Sequence, residues 1–201
     1  LAIGSLLIGG GVAFIDGFKP KKIKKIIKGY KISWLVLMPG MIEGLLNELK
    51  SAKIEVKNIK VMGAMADLVP KKQITEITKI LRTPYLNSFG STETGMPPAS
   101  AGLIPIGSKM FNLSKSQSSF CEVKLEDEKG EVTESGKVGE CLVKGPTLFS
   151  GYWNATKVNL NNFKNGWFHM GDLMKKNNQG MFDFVDRAKY LIKSGGENIY
   201  P

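Results

Sequence analysis

The segment Asn87-Ser88-Phe89-Gly90-Ser91-Thr92-Glu93-Thr94-Gly95 sets an aromatic residue, small residues, hydroxyls and one carboxylate in a single short run. Small residues let backbone N–H groups come close to a phosphate, a hydroxyl can donate to a phosphoryl oxygen, and a carboxylate can hold Mg²⁺. Thr92 and Glu93 supply the last two. Alone, the string also fits an ordinary turn leading into a helix. Its meaning grows with three later blocks that follow in order. The first is Gly139-Glu140 with Gly145-Pro146 and Gly151-Tyr152-Trp153; the second is Gly166-Trp167-Phe168-His169-Met170-Gly171-Asp172. The third is Asp186-Arg187-Ala188-Lys189, running on through Lys193 into Ser194-Gly195-Gly196-Glu197-Asn198-Ile199-Tyr200-Pro201.

The elements that must position these blocks can be read from periodicity. Gly11 to Ile15 reads as a strand, Pro20 to Tyr30 as a helix opened by a proline, Ser33 to Leu37 as a buried strand and Met41 to Leu49 as a second helix. Ile59 to Met62 is strand-like, Val69 to Leu81 carries isoleucines at 74, 77 and 80, and Tyr85 to Phe89 is strand-like again. That β-α-β-α order predicts an α/β unit with a mostly parallel sheet flanked by helices, placed at residues 1–106. The loop after Phe89 then lies beyond the carboxyl end of a parallel strand, where open α/β sheets bind ligands. From Gly107 the pattern changes to alternation of period two at Cys121 to Glu126 and Glu140 to Lys144, which predicts a smaller antiparallel β subdomain over 107–185. Gly151 to Asp172 reads as irregular, and Phe182 to Asp186 and Tyr190 to Lys193 as strands.

With 201 residues and 42% hydrophobic content, the chain can bury a core and is no disordered segment. The net charge of +10 is largely lysine, densest from Lys19 to Lys31 around Ile23, Ile26, Ile27 and Tyr30. That 3/4 spacing predicts a solvated helix face, and no stacking aromatics interleave the lysines, so nucleic acid is not the expected partner. Cys121 and Cys141 stand alone in apolar segments and read as core residues, which leaves neither a zinc site nor a disulfide framework. The glycine-broken run Leu1 to Ile15 is too short to span a bilayer, although peripheral membrane contact stays open; the expected location is cytoplasmic. The chain opens at Leu1 and closes at Pro201 without terminal composition, and it reads as an internal piece of a longer protein.

Together, the ordered blocks resemble the acyl-adenylate-forming (AMP-binding) superfamily in its acyl-CoA synthetase branch, over nearly the whole chain. The resemblance implies a partial large domain of an acyl-CoA synthetase, with 186–201 as the hinge and the start of a lid domain. Phe89 would stack on adenine, Thr92 would bond the phosphate and Glu93 would ligate Mg²⁺. Met65, from the Gly63-Ala64-Met65-Ala66 turn, would join Ser88 and Gly90 around the nucleotide. Asp172 would take both ribose hydroxyls, since each carboxylate oxygen can accept an O–H. Arg187 would also reach the ribose, Lys189 would be the hinge, and Lys193 and Asn198 would lie near the acyl-phosphate. His169, the only histidine, is expected to be structural or substrate-orienting.

The implied reaction joins a carboxylic acid to ATP with release of pyrophosphate, after which the thiol of coenzyme A displaces AMP. ATP, Mg²⁺ and coenzyme A are thus the implied cofactor and co-substrates. A largely apolar pocket is expected from Met38 to Leu46 and around Gly63 and Phe89, with Gly40 and Gly44 leaving room, which favours a fatty or aryl acid. Two alternatives stand beside this reading: a catalytically dead binding or regulatory member of the fold, and an amino-acid adenylation domain. The 201 residues contain no Ser/Thr/Gly-rich loop ending in Pro-Lys-Gly, so this polypeptide tested by itself is expected to be nearly inactive.

Overall fold

The computed structural model describes residues 2–51, 56, 58–65, 69–127, 129–188, 192–194 and 197–199. The first apolar run makes a short helix, α1 (Ala2–Leu7), with no buried residue, and 11–15 lies outside any strand. The five glycines among the first seventeen residues give that run too much backbone freedom to hold an extended strand without a partner. Helix α2 (Pro20–Gly29) starts at its proline and turns Ile23 and Ile27 inward, leaving Lys21, Lys22, Lys25 and Lys28 in solvent.

Strand β1 (Trp34–Val36) is followed by α3 (Pro39–Lys50), β2 (Val61–Met65), α4 (Lys71–Leu81) and β3 (Tyr85–Phe89). The two later helices bury the same 3.6-residue stripe: Ile42, Leu45, Leu46 and Leu49 on α3, and Ile74, Ile77, Thr78 and Leu81 on α4. With Met62 and Tyr85 from the strands they make the first core, where each fully buried aliphatic side chain contributes about 1.5–3 kcal/mol of transfer free energy. Helix α4 stops at Arg82, whose φ of 51° is left-handed and whose N–H caps the Thr78 carbonyl.

The three strands are parallel, with Leu35 opposite Met62 and Gly63 opposite Leu86. Two short strands, β4 (Ala99–Ser100) and β5 (Ser116–Gln117), extend the sheet antiparallel in the order β1-β2-β3-β4-β5. The sheet is therefore mixed, parallel through β3 and antiparallel after it. Strand β1 is not buried as its apolar sequence suggested: Trp34 is 48% and Val36 39% exposed. Among the described residues its one partner strand is β2.

The second sheet comprises β6 (Glu122–Glu126), β7 (Val138–Lys144), β9 (Trp167–Lys176) and β10 (Phe182–Arg187) in the order β10-β9-β7-β6, all antiparallel. Helix α5 (Thr156–Asn162) and strand β8 (Phe163–Lys164) precede β9, and β8 pairs with it. The segment 151–172, expected to be irregular, thus holds a helix and most of a strand. Phe89, Ala99, Cys121, Leu125, Cys141, Val143, Met174 and Phe182 form the second core, which joins β3 and β4 to this sheet and places both cysteines inside. A last hairpin pairs β11 (Ile192–Ser194) with β12 (Glu197–Ile199).

Candidate active site

The loop after β3 is held in shape by Thr94, a residue the motif reading passed over. The Thr94 hydroxyl accepts from the Ser91 N–H at 3.1 Å and donates to the Ser91 carbonyl at 2.9 Å, closing a turn that leaves Thr92 exposed at its apex. Gly95 ends the turn at φ +66°, where an added Cβ would lie 2.5 Å from the Thr147 carbonyl oxygen. Only glycine fits that approach, and through it the loop is packed on the 145–152 segment.

That segment supplies a second partner, Tyr152, to which the sequence motifs give no role. The Tyr152 hydroxyl donates to Glu93 Oε1 at 2.8 Å, and the Phe149 N–H donates to the Glu93 carbonyl at 2.9 Å. Tyr152 is anchored in turn by Asn159, whose Oδ1 accepts its N–H at 2.8 Å and whose Nδ2 donates to its carbonyl at 2.9 Å. Phe149 packs edge-on against both Tyr152 and Phe168, with centroids 4.8 and 5.3 Å apart, tying the segment to β9. Burial pushes the Glu93 carboxyl up, but the Ser91 and Tyr152 hydroxyls and the Arg187 charge outweigh it, so the group sits below the ordinary glutamate range and is ionised at neutral pH.

Asp172 and Arg187 stand opposite each other across β9 and β10, and Arg187 Nε donates to Asp172 Oδ1 at 2.9 Å. Asp172 is only 4% exposed, so a compensating cation is what allows it to stay charged. Phe184, three positions before Arg187, lies 6.3 Å from Phe89, which directly precedes the Glu93 loop. The end of β3 and the end of β10 therefore meet the middle of β9. Glu93, Asp172 and Arg187, distant in sequence, are brought to one region.

Other expected residues fall variously. Phe89 is buried in the second core, 6% exposed. Ser88 is buried and accepts a 3.3 Å bond from the Ser100 hydroxyl on β4, and Gly90 is packed against Pro97 and Pro98. Met65 ends β2 with its backbone opposite Ser88. Lys193 and Asn198 face each other in the β11–β12 register, while Lys189 and Ala66 lie outside the described residues. His169 is held by Glu140, with Nδ1 donating to Oε2 at 3.1 Å.

Part of the stretch expected to line an apolar pocket faces a core instead. Ile42, Leu45 and Leu46 point into the first core, and the space beside Gly44 is filled by the Phe18 ring, 2.8 Å from where a Cβ would be. Gly63 likewise lies so close to the Leu86 carbonyl, 2.6 Å from an added Cβ, that its missing side chain serves strand packing. The reason is amphipathicity: the α3 residues that looked like pocket lining are the stripe a surface helix must bury. Among the described residues no group of three or more His, Cys, Asp or Glu side chains could hold a metal ion by itself. Mg²⁺ needs no such cage, since one or two carboxylates commonly suffice alongside phosphate oxygens, and the ionised Glu93 fits that part.

An α/β sheet, an antiparallel sheet and an acidic and basic constellation at their junction define a class, and comparison with known families names it. The chain belongs to the family of AMP-binding enzymes, whose pattern matches residues 1–153. It is 31% identical over 202 residues to 2-succinylbenzoate–CoA ligase of Bacillus subtilis, covering 98% of this chain and 39% of that protein. It is 28% identical over 197 residues to a medium/long-chain-fatty-acid–CoA ligase of Mycobacterium tuberculosis, covering 98% of this chain and 34% of the relative. Among solved structures, it resembles Bacillus subtilis o-succinylbenzoate coenzyme A synthetase bound with a product analogue, at TM-score 0.80 and 29% identity over 98% of this chain and 39% of that one. The same synthetase in complex with ATP and magnesium gives a TM-score of 0.75 at 29% identity, over 99% of this chain and 41% of that one. The chain thus spans less than half the length of the relatives it matches. No helix among the described residues is long and apolar enough to cross a membrane.

Proposed function

We propose that the protein containing this chain activates a carboxylic acid with ATP as an acyl-adenylate and passes the acyl group to coenzyme A. The observation that carries the reading is the convergence of Glu93, Asp172 and Arg187, with the Asp172–Arg187 pair at 2.9 Å and the Arg187 charge felt at Glu93. Attack of the acid on the α-phosphate and loss of AMP both build charge on phosphate oxygens, so fixed donors and cations aimed there lower the barrier. Thr92, exposed at the loop apex, would donate to a phosphoryl oxygen. Glu93, kept ionised and oriented by Tyr152, would hold Mg²⁺, which supplies positive charge to the phosphates when bound. Asp172 would accept the ribose hydroxyls while Arg187 balances its charge. Met65, Ser88, Phe89 and Gly90 would form the adenine side.

Lys193 and Asn198 would approach the acyl-phosphate, with Lys189 as the hinge of a moving lid. On this reading 1–106 and 107–185 are two parts of the large domain and 186–201 leads into the lid. The acid is proposed to be fatty or aryl; relatives named for a fatty acid, indoleacetate and 2-succinylbenzoate support that breadth. A cytoplasmic location suits such a reaction. These 201 residues span about two-fifths of the relatives, so by themselves they are proposed to turn over little.

The test is the full-length protein with ATP, Mg²⁺, coenzyme A and a panel of acids, read by pyrophosphate exchange and by mass spectrometry of thioesters. A thioester of a fatty or aryl acid is expected. Exchange with amino acids alone would move the protein to another branch, and no exchange with any acid would remove the catalytic reading.

A further inference from the structure

Strand β9 does not run straight past β7. Glu140 pairs with Leu173 and Leu142 with His169, so two steps along β7 match four along β9, and Met170, Gly171 and Asp172 swell out of the ladder. Gly171 takes φ +72° in the swelling, the left-handed region that suits glycine. Both polar groups of its backbone are held from outside the strand. Its N–H donates to Glu140 Oε1 at 3.1 Å, and its carbonyl accepts the Ala188 N–H at 2.8 Å. The second carboxylate oxygen of Glu140 is held by His169 Nδ1 at 3.1 Å. Beneath the swelling, the buried Cys141 thiol lies 3.9 Å from the Met170 sulfur.

The swelling ends on Asp172, and the Ala188 bond fixes it to the residue next to Arg187. A bulge re-aims the side chain it carries, and here a side-chain carboxylate, with both oxygens engaged, fixes its shape. We infer that Glu140 is a positioning residue: clamped by His169, it fixes the Gly171 backbone so that Asp172 meets the nucleotide ribose in a set orientation. The inference rests on the proposed ribose role of Asp172. It goes beyond that role by assigning work to Glu140 and His169, neither of which need touch the nucleotide.

The experiment uses the full chain as its gene encodes it, with Kd for AMP and for 2′,3′-dideoxy-AMP measured by calorimetry and folding checked by circular dichroism. The wild type is expected to favour AMP by about tenfold or more, as for hydroxyls bonded to a charged acceptor. Asp172→Asn should lose most of that preference. Glu140→Ala should lose it too, about tenfold in the ratio, while dideoxy-AMP binding changes less than about twofold. Glu140→Gln keeps an oxygen for the Gly171 N–H and should restore part of the ratio. The double variant Glu140→Ala/Asp172→Asn should be no worse in ratio than Asp172→Asn alone.

If Asp172→Asn leaves the preference intact, the ribose reading fails and this inference with it. If Asp172→Asn abolishes the preference and Glu140→Ala retains it, the ribose reading stands and the role of Glu140 is refuted. Should Glu140→Ala not fold, Glu140→Gln decides: a ratio reduced about twofold to threefold supports the clamp, and an unchanged ratio overturns it.

Discussion

Replacing Tyr152 by phenylalanine removes one hydroxyl and little else. The ring keeps its edge-on contact with Phe149, and the two backbone bonds to Asn159 do not involve the hydroxyl. What is lost is the 2.8 Å bond to Glu93 Oε1. A hydrogen bond to a charged group is worth about 1.5–3 kcal/mol when well buried; Glu93 is only partly buried, and water replaces some of the loss, leaving about 1 kcal/mol. That is about a fivefold weakening of MgATP binding, measured by calorimetry, with little change in Mg²⁺-free AMP binding. The Glu93 titration should move with it. Because the hydroxyl helps hold the carboxyl below the ordinary glutamate range, its loss raises the midpoint, which carbon-13 NMR of the side-chain carboxyl reads directly. In the wild type this link stabilises the fold above the ordinary glutamate pKa and is lost as pH falls through the lower folded value. An unchanged Glu93 midpoint and unchanged MgATP affinity in Tyr152→Phe would refute the idea that Tyr152 keeps Glu93 ready for the cation.

Three further outcomes are expected. Leu45→Ala, at a position with no exposure, should cost about 2–5 kcal/mol in urea unfolding, because α3 cannot collapse into the space between Ile42 and Leu49. Gly95→Ala forces a side chain into a left-handed residue and against the Thr147 carbonyl; it should cost at least about 1–2 kcal/mol and lower Tm by about 2–4 °C for each kcal/mol. Burial pushes both the Cys121 and Cys141 thiols up, so mass spectrometry of the two peptides should find them unmodified after iodoacetamide at pH 8 and fully alkylated after guanidine.

The helices and central strands were legible because burial periodicity is a local signal: α2, α4 and β3 lie within a residue or two of the positions that Pro20, the 74-77-80 isoleucines and Tyr85–Phe89 marked. Strand β9 escaped because its swelling at Met170-Gly171-Asp172 breaks alternation where period two would be sought. The motif residues Glu93, Asp172 and Arg187 were visible from resemblance, whereas Thr94, Tyr152 and Glu140 act through contacts 3, 59 and 31 positions away in sequence. Only the Gly-Glu and Gly-Tyr pairs within the quoted blocks hinted at the last two. Ile42, Leu45 and Leu46 were expected beside a pocket for a related reason, since residues lining a core and residues lining a cleft share a composition.

The most direct measurement is a crystal structure of the full-length protein grown with AMP. Convergence of Glu93, Asp172 and Arg187 on one nucleotide predicts the ribose hydroxyls within hydrogen-bond distance of the Asp172 carboxylate, with the phosphate turned toward the Thr92–Glu93 loop. A nucleotide bound away from Asp172, with Arg187 still closed upon it, would contradict it.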